Sequence, residues 1–322
     1  MSGPRRVVDS ARRRAPGARD RLVDLGYAAG WRGVRALPAP VAAAAFRSGA
    51  DIGARRDGRG VRQLRVNLRR VVGPGPSEPE LDDLVRAGLR SYARYWMETF
   101  RLPSMPVDSV VPRVSTDGAE HIDAAMAAGR GAILALPHSG NWDVAALWLI
   151  AHGVPFTTVA ERLAPEALFD RFVRFRESLG MEIVALSGGA RAPSTVLTER
   201  LQAGGCVCLL ADRDLGASGV PVQFFGAPTR MPPGPALLAA TTGAALLPVS
   251  LHFTADGWGQ WIGPPIQLSG ERLRERVAGA TQALADTFAQ RISVHPEDWH
   301  MLQKLWLADL DPARVPAANR SV

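Results

Sequence analysis

Between Ala132 and Ile262, short apolar runs of strand length alternate with segments of helical periodicity, and that alternation restricts the fold more than any other feature of the chain. The runs fall at Ala132 to Leu136, Phe156 to Ala160, Glu182 to Leu186, Cys206 to Ala211, Leu246 to Phe253 and Gly259 to Ile262. Helices are expected between them at 142–152, 165–179, 193–203 and 234–242, with a closing helix at 271–292. Strands joined through helices need crossover connections, so the expected fold is α/β, a central and mostly parallel sheet flanked by helices. Two amphipathic helices precede it, at 80–100 and at 118–129, the second ending on Gly129. In such sheets ligands bind beyond the carboxyl ends of the strands, which makes the residues directly after each strand the ones to inspect for chemistry.

Charge separates the N-terminal region from the rest. Residues 1–70 hold seventeen Arg against five Asp and no Glu, so that segment is +12 in a chain of net charge +7 and the remainder sums to −5. A basic arm on a mildly acidic body fits anionic lipid headgroups or nucleic acid. Leu22 to Trp31 and Val41 to Phe46 interleave apolar residues with Arg32, Arg35, Arg47, Arg55 and Arg56, which suits interfacial helices better than a DNA-reading element. Residues 1–20 read as a solvated arm. The GPGPSEP stretch at 73–79 is the evident linker. The expected organisation is a basic, helical, membrane-facing segment at 1–72, an α/β domain at 73–310 and a tail at 311–322, with no nucleic-acid partner. No spanning segment is expected, because the apolar stretch at 36–46 is short and broken by Pro38 and Pro40, and the arm lacks a signal peptide's continuous apolar core. Cys206 and Cys208, two apart on a strand, share a face and are poorly placed to bridge, consistent with a reduced, cytoplasmic protein.

The segment after the first sheet strand is Pro137-His138-Ser139-Gly140-Asn141-Trp142-Asp143. Five positions along a straight helix turn about 140° past a full revolution, so His138 and Asp143 share a face only if the histidine ends the strand and the aspartate opens the helix. Gly140 then permits the tight bend that would return the carboxylate to the imidazole, holding one ring nitrogen and leaving the other free to take a proton. The alternative is a loop histidine beside a helix-capping aspartate.

LPHSGNWD at 136–143, AERL at 160–163, LLADRDLG at 209–216, VQFFG at 222–226 and HPEDWHMLQ at 295–303 together resemble the glycerolipid and lipid A type acyltransferases, most closely the actinobacterial phosphatidylinositol mannoside acyltransferases. The stretch GYAAGWRGVRALP at 26–38 is similar to the same family's N-terminal helices. The resemblance implies a glycerolipid acyltransferase type of α/β fold and direct transfer through a ternary complex: His138 takes the proton of a sugar hydroxyl, which attacks the acyl-CoA thioester with no acyl-enzyme. It implies acyl-CoA as co-substrate, no metal or other cofactor, and a peripheral place on the cytoplasmic face of the cell membrane. Asp143 is then the residue that assists His138. Asp212 stands at an acidic position of the same charge relay, where family members carry Glu; its alternative is a helix-capping role or a structural salt bridge with Arg213. Glu161 and Arg162 directly follow the second sheet strand, where a side chain can face the same pocket as His138, and both are candidates to bind substrate; the resemblance implies Glu161 and Arg176 on the polar or acceptor side of the site. Arg176 shares its helix with Arg171 and Arg174, so phosphate contact, thioester oxygen stabilisation and a solvated charged face all stay open for it. Arg230 is a candidate for a CoA or lipid phosphate. Phe224 and Phe225, and His295 and His300 around Trp299 and Trp306, are assigned to packing.

Other enzyme classes fit less well. A P-loop needs a lysine after its glycines, and the chain's one lysine is Lys304, after Gln303. No G-x-S-x-G elbow follows an apolar strand, and no His or Cys cluster completes a zinc site with His138 and Asp143. The rivals that remain are an acyltransferase acting on a lipid A precursor or a lysophospholipid, and a non-catalytic lipid-binding protein on the same scaffold.

Overall fold

The computed structural model describes residues 30–161, 166–188, 191–214 and 219–310, with Gly26 before them. The solvated arm expected at 1–20, most of the Leu22 to Trp31 stretch, Arg162 and the 311–322 tail lie outside the described residues. The N-terminal helices are α1 (described over 30–36), α2 (Ala39–Arg55), α3 (Arg59–Val72) and α4 (Glu78–Arg101), followed by the short α5 (Val107–Val110). The body runs β1 (Val114–Asp117), α6 (Ala119–Ala127), β2 (Ala132–Leu136), α7 (Trp142–Ala151), β3 (Phe156–Ala160), α8 (Glu166–Ser178), β4 (Glu182–Ala185), α9 (Pro193–Gln202) and β5 (Cys206–Leu210). It continues with β6 (Val220–Phe224), β7 (Ala227–Met231), α10 (Gly234–Thr242), β8 (Ala245–Phe253), β9 (Trp258–Ile262) and α11 (Leu273–Val294).

The main sheet has the order β1-β9-β8-β2-β5-β3-β4 and is parallel throughout except for the β8–β9 pair. The mostly parallel α/β fold expected from the apolar runs is the fold observed. Strand β2 shows why those runs are continuous rather than alternating: Ile133 and Ala135 face one core with α9, α10 and α11, while Ala132, Leu134 and Leu136 face the other with α6, α7 and α8. All five of its residues are buried.

Strand β1 and the β6–β7 ribbon fall outside the expected elements. Edge strand β1, VSTD, carries no apolar run because one face of it is exposed. The β6–β7 ribbon contains Pro221 and Pro228, which argue against a central strand but are tolerated in an isolated two-stranded ribbon. Its turn is Phe225-Gly226, with φ of 50° and 70°, the pair of positive values a two-residue hairpin requires. Phe224 lies in the core, stacked on Trp306.

Helices α2 and α3 lie on α4. Leu64, Leu68, Leu81, Val85 and Leu89 form a separate apolar cluster between α3 and α4, and Ser77 and Glu80 cap α4 reciprocally. Helix α3 also holds the C-terminal segment: Asn67 Nδ2 donates to the carbonyls of Met301 (2.7 Å) and Gln303 (2.9 Å), and Arg70 pairs with Asp309. Among the described residues no helix is long and apolar enough to cross a membrane.

Candidate active site

Strands β2 and β5 run side by side in register, with Leu136 opposite Leu210, and the ladder extends one step further through Ala211 N–H to the Leu136 carbonyl (2.8 Å). The next residues outward on the two strand ends are therefore neighbours, and they are His138 and Asp212. Asp212 Oδ1 lies 2.5 Å from His138 Nδ1, and Oδ2 accepts the His138 backbone N–H (2.9 Å) and the Trp299 indole N–H (2.9 Å). An ionised carboxylate only accepts, so Nδ1 carries the proton of this bond and the Nε2 lone pair is left available. His138 is partly exposed and Asp212 fully buried. Burial alone would push the Asp212 carboxyl up, but the His138 ring and the hydrogen bonds from that ring, from Trp299 and from the His138 backbone hold it below the usual carboxylate range.

Asp143 lies elsewhere, which corrects the expectation that it returns to the imidazole. Gly140 does supply the bend, with φ of 56° and the Leu251 backbone where a Cβ would lie, and Asp143 does sit in the first turn of α7, which Asn141 caps. Its carboxylate, however, faces α4 and α8. Oδ1 accepts from Arg176 Nε (2.8 Å), and Oδ2 accepts from the Thr99 hydroxyl (3.2 Å), the Tyr95 hydroxyl (3.4 Å) and Arg176 Nη2 (3.4 Å). Arg176 is thus the buried partner of Asp143 and not part of a solvated face. Burial works against its charge, yet Asp143 and Tyr95 beside it hold the guanidinium more firmly protonated than usual. Burial and the Asp143 charge push the Tyr95 phenol well up, so it acts as a neutral donor.

The loop ends of β3 and β5 meet where Glu161 lies 3.6 Å from Arg213, so it is Glu161, not Asp212, that pairs with Arg213. Arg230 sits on β7 and donates Nη1 to the Gly219 carbonyl (3.3 Å). Glu98, buried on α4, accepts from Asn141 Nδ2, Trp258 Nε1 and Arg94 Nε, each at 2.7 Å, and so ties the start of α7 to β9. Glu98, Asn141 and Trp299 join the site from outside the expected set, and of these Asn141 alone carries a local signal, its place one residue before a helix.

A cavity of about 780 Å³, counting space open to solvent, lies between α7 and one face of the sheet. Leu134 and Leu136 of β2, Phe156 and Ala160 of β3, Cys208 and Leu210 of β5, and Trp142, Ala145, Ala146 and Leu149 of α7 line it, with Asp143 and Arg176 as its charged residues. The slot is mostly apolar and is lined by Leu136, two residues before His138, and by Trp142 within the motif.

The segment 295–300 closes the other side. His300 N–H donates to the His138 carbonyl (2.8 Å), Gly140 N–H to the Asp298 carbonyl (2.9 Å), and Ser139 bridges Trp299. His295, Glu297 and Asp298 each bring a possible metal-ligand atom within 4.8 Å of the others, but Asp298 is already engaged by the Ser91 hydroxyl (2.6 Å) and the Phe253 N–H (2.7 Å). His300 is buried against Ser91, and burial, with His138 nearby, pushes its imidazole down to about 3. A histidine neutral in the fold and titrating near 6.5 when unfolded contributes stability that is full above pH 6.5 and is lost as pH falls from there towards 3. Asp298, pushed up by burial, has the opposite sign. Urea midpoints measured from pH 8 to 4 should fall below pH 6.5 in the wild type and less steeply in His300→Asn; equal slopes would show that His300 does not titrate on unfolding.

Sheet, motif and slot together suit an enzyme that moves an acyl chain, and the comparison of whole chains agrees. The chain belongs to the bacterial lipid A biosynthesis acyltransferase family, whose model matches residues 19–308. Within it the chain is 54% identical over 293 residues to the phosphatidylinositol mannoside acyltransferase of Mycolicibacterium smegmatis, an alignment covering 91% of this chain and 94% of that one. It is 53% identical over 294 residues to the protein of the same name from Mycobacterium tuberculosis H37Rv, covering 90% of each.

Proposed function

We propose that this acyltransferase moves a fatty acyl chain from acyl-CoA to a sugar hydroxyl of a phosphatidylinositol mannoside, with His138 as general base. The observation that carries the reading is the His138–Asp212 pair at the carboxyl ends of β2 and β5, beside an apolar slot. His138 Nε2 takes the proton as the hydroxyl oxygen attacks the thioester carbonyl. The tetrahedral intermediate collapses, the C–S bond breaks, and the CoA sulfur leaves with the proton returned from the imidazolium. Asp212 holds the ring by Nδ1 and stabilises its cationic form. No acyl-enzyme forms. The acyl chain occupies the slot under α7, where Leu134, Leu136, Ala146 and Leu149 offer it an apolar wall. The mannoside as acceptor is supported by the names of the relatives.

The enzyme works at the cytoplasmic face of the membrane. Supporting this are the arginine-rich N-terminal region and the exposure of Leu37, Val41 and Ile52 in a segment that also carries Arg35, Arg47 and Arg55, a composition that suits anionic headgroups.

The test is transfer of labelled palmitate from palmitoyl-CoA to phosphatidylinositol dimannoside by purified protein, with lipid A precursor and lysophospholipid as competing acceptors. Transfer to the mannoside alone supports the reading; transfer only to another acceptor, or no transfer from any acyl-CoA, overturns it. Chain length gives a second reading. Each buried methylene contributes about 0.8 kcal/mol, so Ala146→Phe, which fills part of the slot, should shift kcat/KM from palmitoyl-CoA towards octanoyl-CoA by about tenfold through loss of room for two methylenes. An unchanged preference would place the chain elsewhere.

A further inference from the structure

We infer that Trp299 is a positioning residue for the His138–Asp212 pair, acting through its indole N–H; this rests on the reading of His138 as base. Trp299 is fully buried. A buried indole needs an acceptor, and a backbone carbonyl is sufficient, as the second buried indole of this cluster shows: Trp306 Nε1 donates to the Phe224 carbonyl (2.9 Å). Trp299 donates instead to a charged oxygen, Asp212 Oδ2, at 2.9 Å, and such charge-assisted bonds are the stronger kind.

The carboxylate is thereby fixed on both sides. Oδ2 receives two N–H groups, from Trp299 and from the His138 backbone, and Oδ1 is directed at His138 Nδ1. Rotation of the carboxyl group would leave both donors unpaired in a buried place. The backbone around Trp299 adds a second hold, because residues 298–300 lie along residues 138–140 through the His300-to-His138 and Gly140-to-Asp298 bonds and the Ser139–Trp299 bridge. The rings of Phe224 and Trp306 meet the indole edge-on and limit its movement. The C-terminal HPEDWH segment thus sets the direction from which Asp212 addresses the imidazole.

Loss of the indole donor leaves more negative charge for Oδ1, which strengthens its hold on a protonated ring. The His138 pKa should therefore rise, and the acid limb of the pH–rate profile should move up with it. In Trp299→Phe the His138 ring, followed by nitrogen NMR on labelled full-length protein, is expected to titrate roughly one pH unit higher than in the wild type. In the transfer assay kcat should fall about tenfold, with KM for donor and acceptor little changed. Trp306→Phe is the matched control: it loses a buried indole and its hydrogen bond in the same cluster, and should lower stability without moving the His138 titration.

An unmoved titration in Trp299→Phe, or an equal movement in Trp306→Phe, overturns the inference. If the titration moves but no protein transfers acyl groups, the positioning role stands and the proposed reaction fails. Should Trp299→Phe not fold, the wild type gives the reading: the Trp299 indole N–H resonance must follow the His138 titration, and an indole signal flat through that transition overturns the inference as well.

Discussion

Replacing His138 by alanine is expected to lower acyl transfer by about 10,000-fold while the protein stays folded. The magnitude is the one a general base and its orienting acid supply together when the nucleophile is a weakly acidic hydroxyl. The fold should survive because the His138 side chain is partly exposed and its ring makes one described hydrogen bond, that to Asp212. Asp212 keeps the His138 backbone and Trp299 N–H groups after the substitution, so the buried carboxylate is not left bare. Asp212→Asn should cost roughly a thousandfold or more, since an amide can present its NH2 to Nδ1 and favour the wrong tautomer. The double variant should be no slower than His138→Ala, because Asp212 is proposed to act only through the ring. Steady-state transfer from labelled acyl-CoA by the three variants, with circular dichroism as the fold control, checks this. Retention of more than a tenth of the rate by His138→Ala would remove it as the base, and multiplying losses in the double variant would give Asp212 an independent role.

The strands and helices of the body were legible because burial on both faces leaves continuous apolar runs. Each core strand lies within one residue of its sequence-based bounds. Strand β1 and the β6–β7 ribbon escaped because they are not buried on both faces, so VSTD and VPVQF leave no such run. At the site, the placing of His138 at a strand end, the bend at Gly140 and Asp143 in the first helical turn all followed from local chain geometry. The partner of the histidine did not. Spacing along one segment suggested Asp143, whereas the register between β2 and β5 sets Asp212 opposite His138, and pairing between strands 74 residues apart is not written in either segment alone. Family resemblance had placed Asp212 in the relay, but its contact with Trp299 needed a third segment, near the C-terminus. Arg176 was open to three readings because a helix rich in arginine shows nothing of which one faces inward; Tyr95, Thr99 and Asp143 single it out.

Asp143 and Arg176 should matter most for stability. Asp143 is buried and Arg176 largely so, and their contacts join three helices: α7 carries the carboxylate, α8 the guanidinium, and α4 the Tyr95 and Thr99 hydroxyls. Removing one member of a buried pair leaves the other charged with no compensating ion, which typically costs 3–5 kcal/mol. Asp143→Ala and Arg176→Ala are each expected to lose about that much, read from urea unfolding, and the double variant should lose clearly less than their sum. Activity separates this role from a charge relay. Because the Asp143 carboxylate engages Arg176 and the two hydroxyls while Asp212 holds the ring, Asp143→Asn should lower stability and yet leave the acid limb of the pH–rate profile in place at temperatures where the protein remains folded. Asp212→Asn should do the reverse, changing the pH–rate profile at a smaller cost in stability. An Asp143→Asn protein of normal stability with a displaced acid limb would return Asp143 to the histidine and overturn the division of labour between the two aspartates.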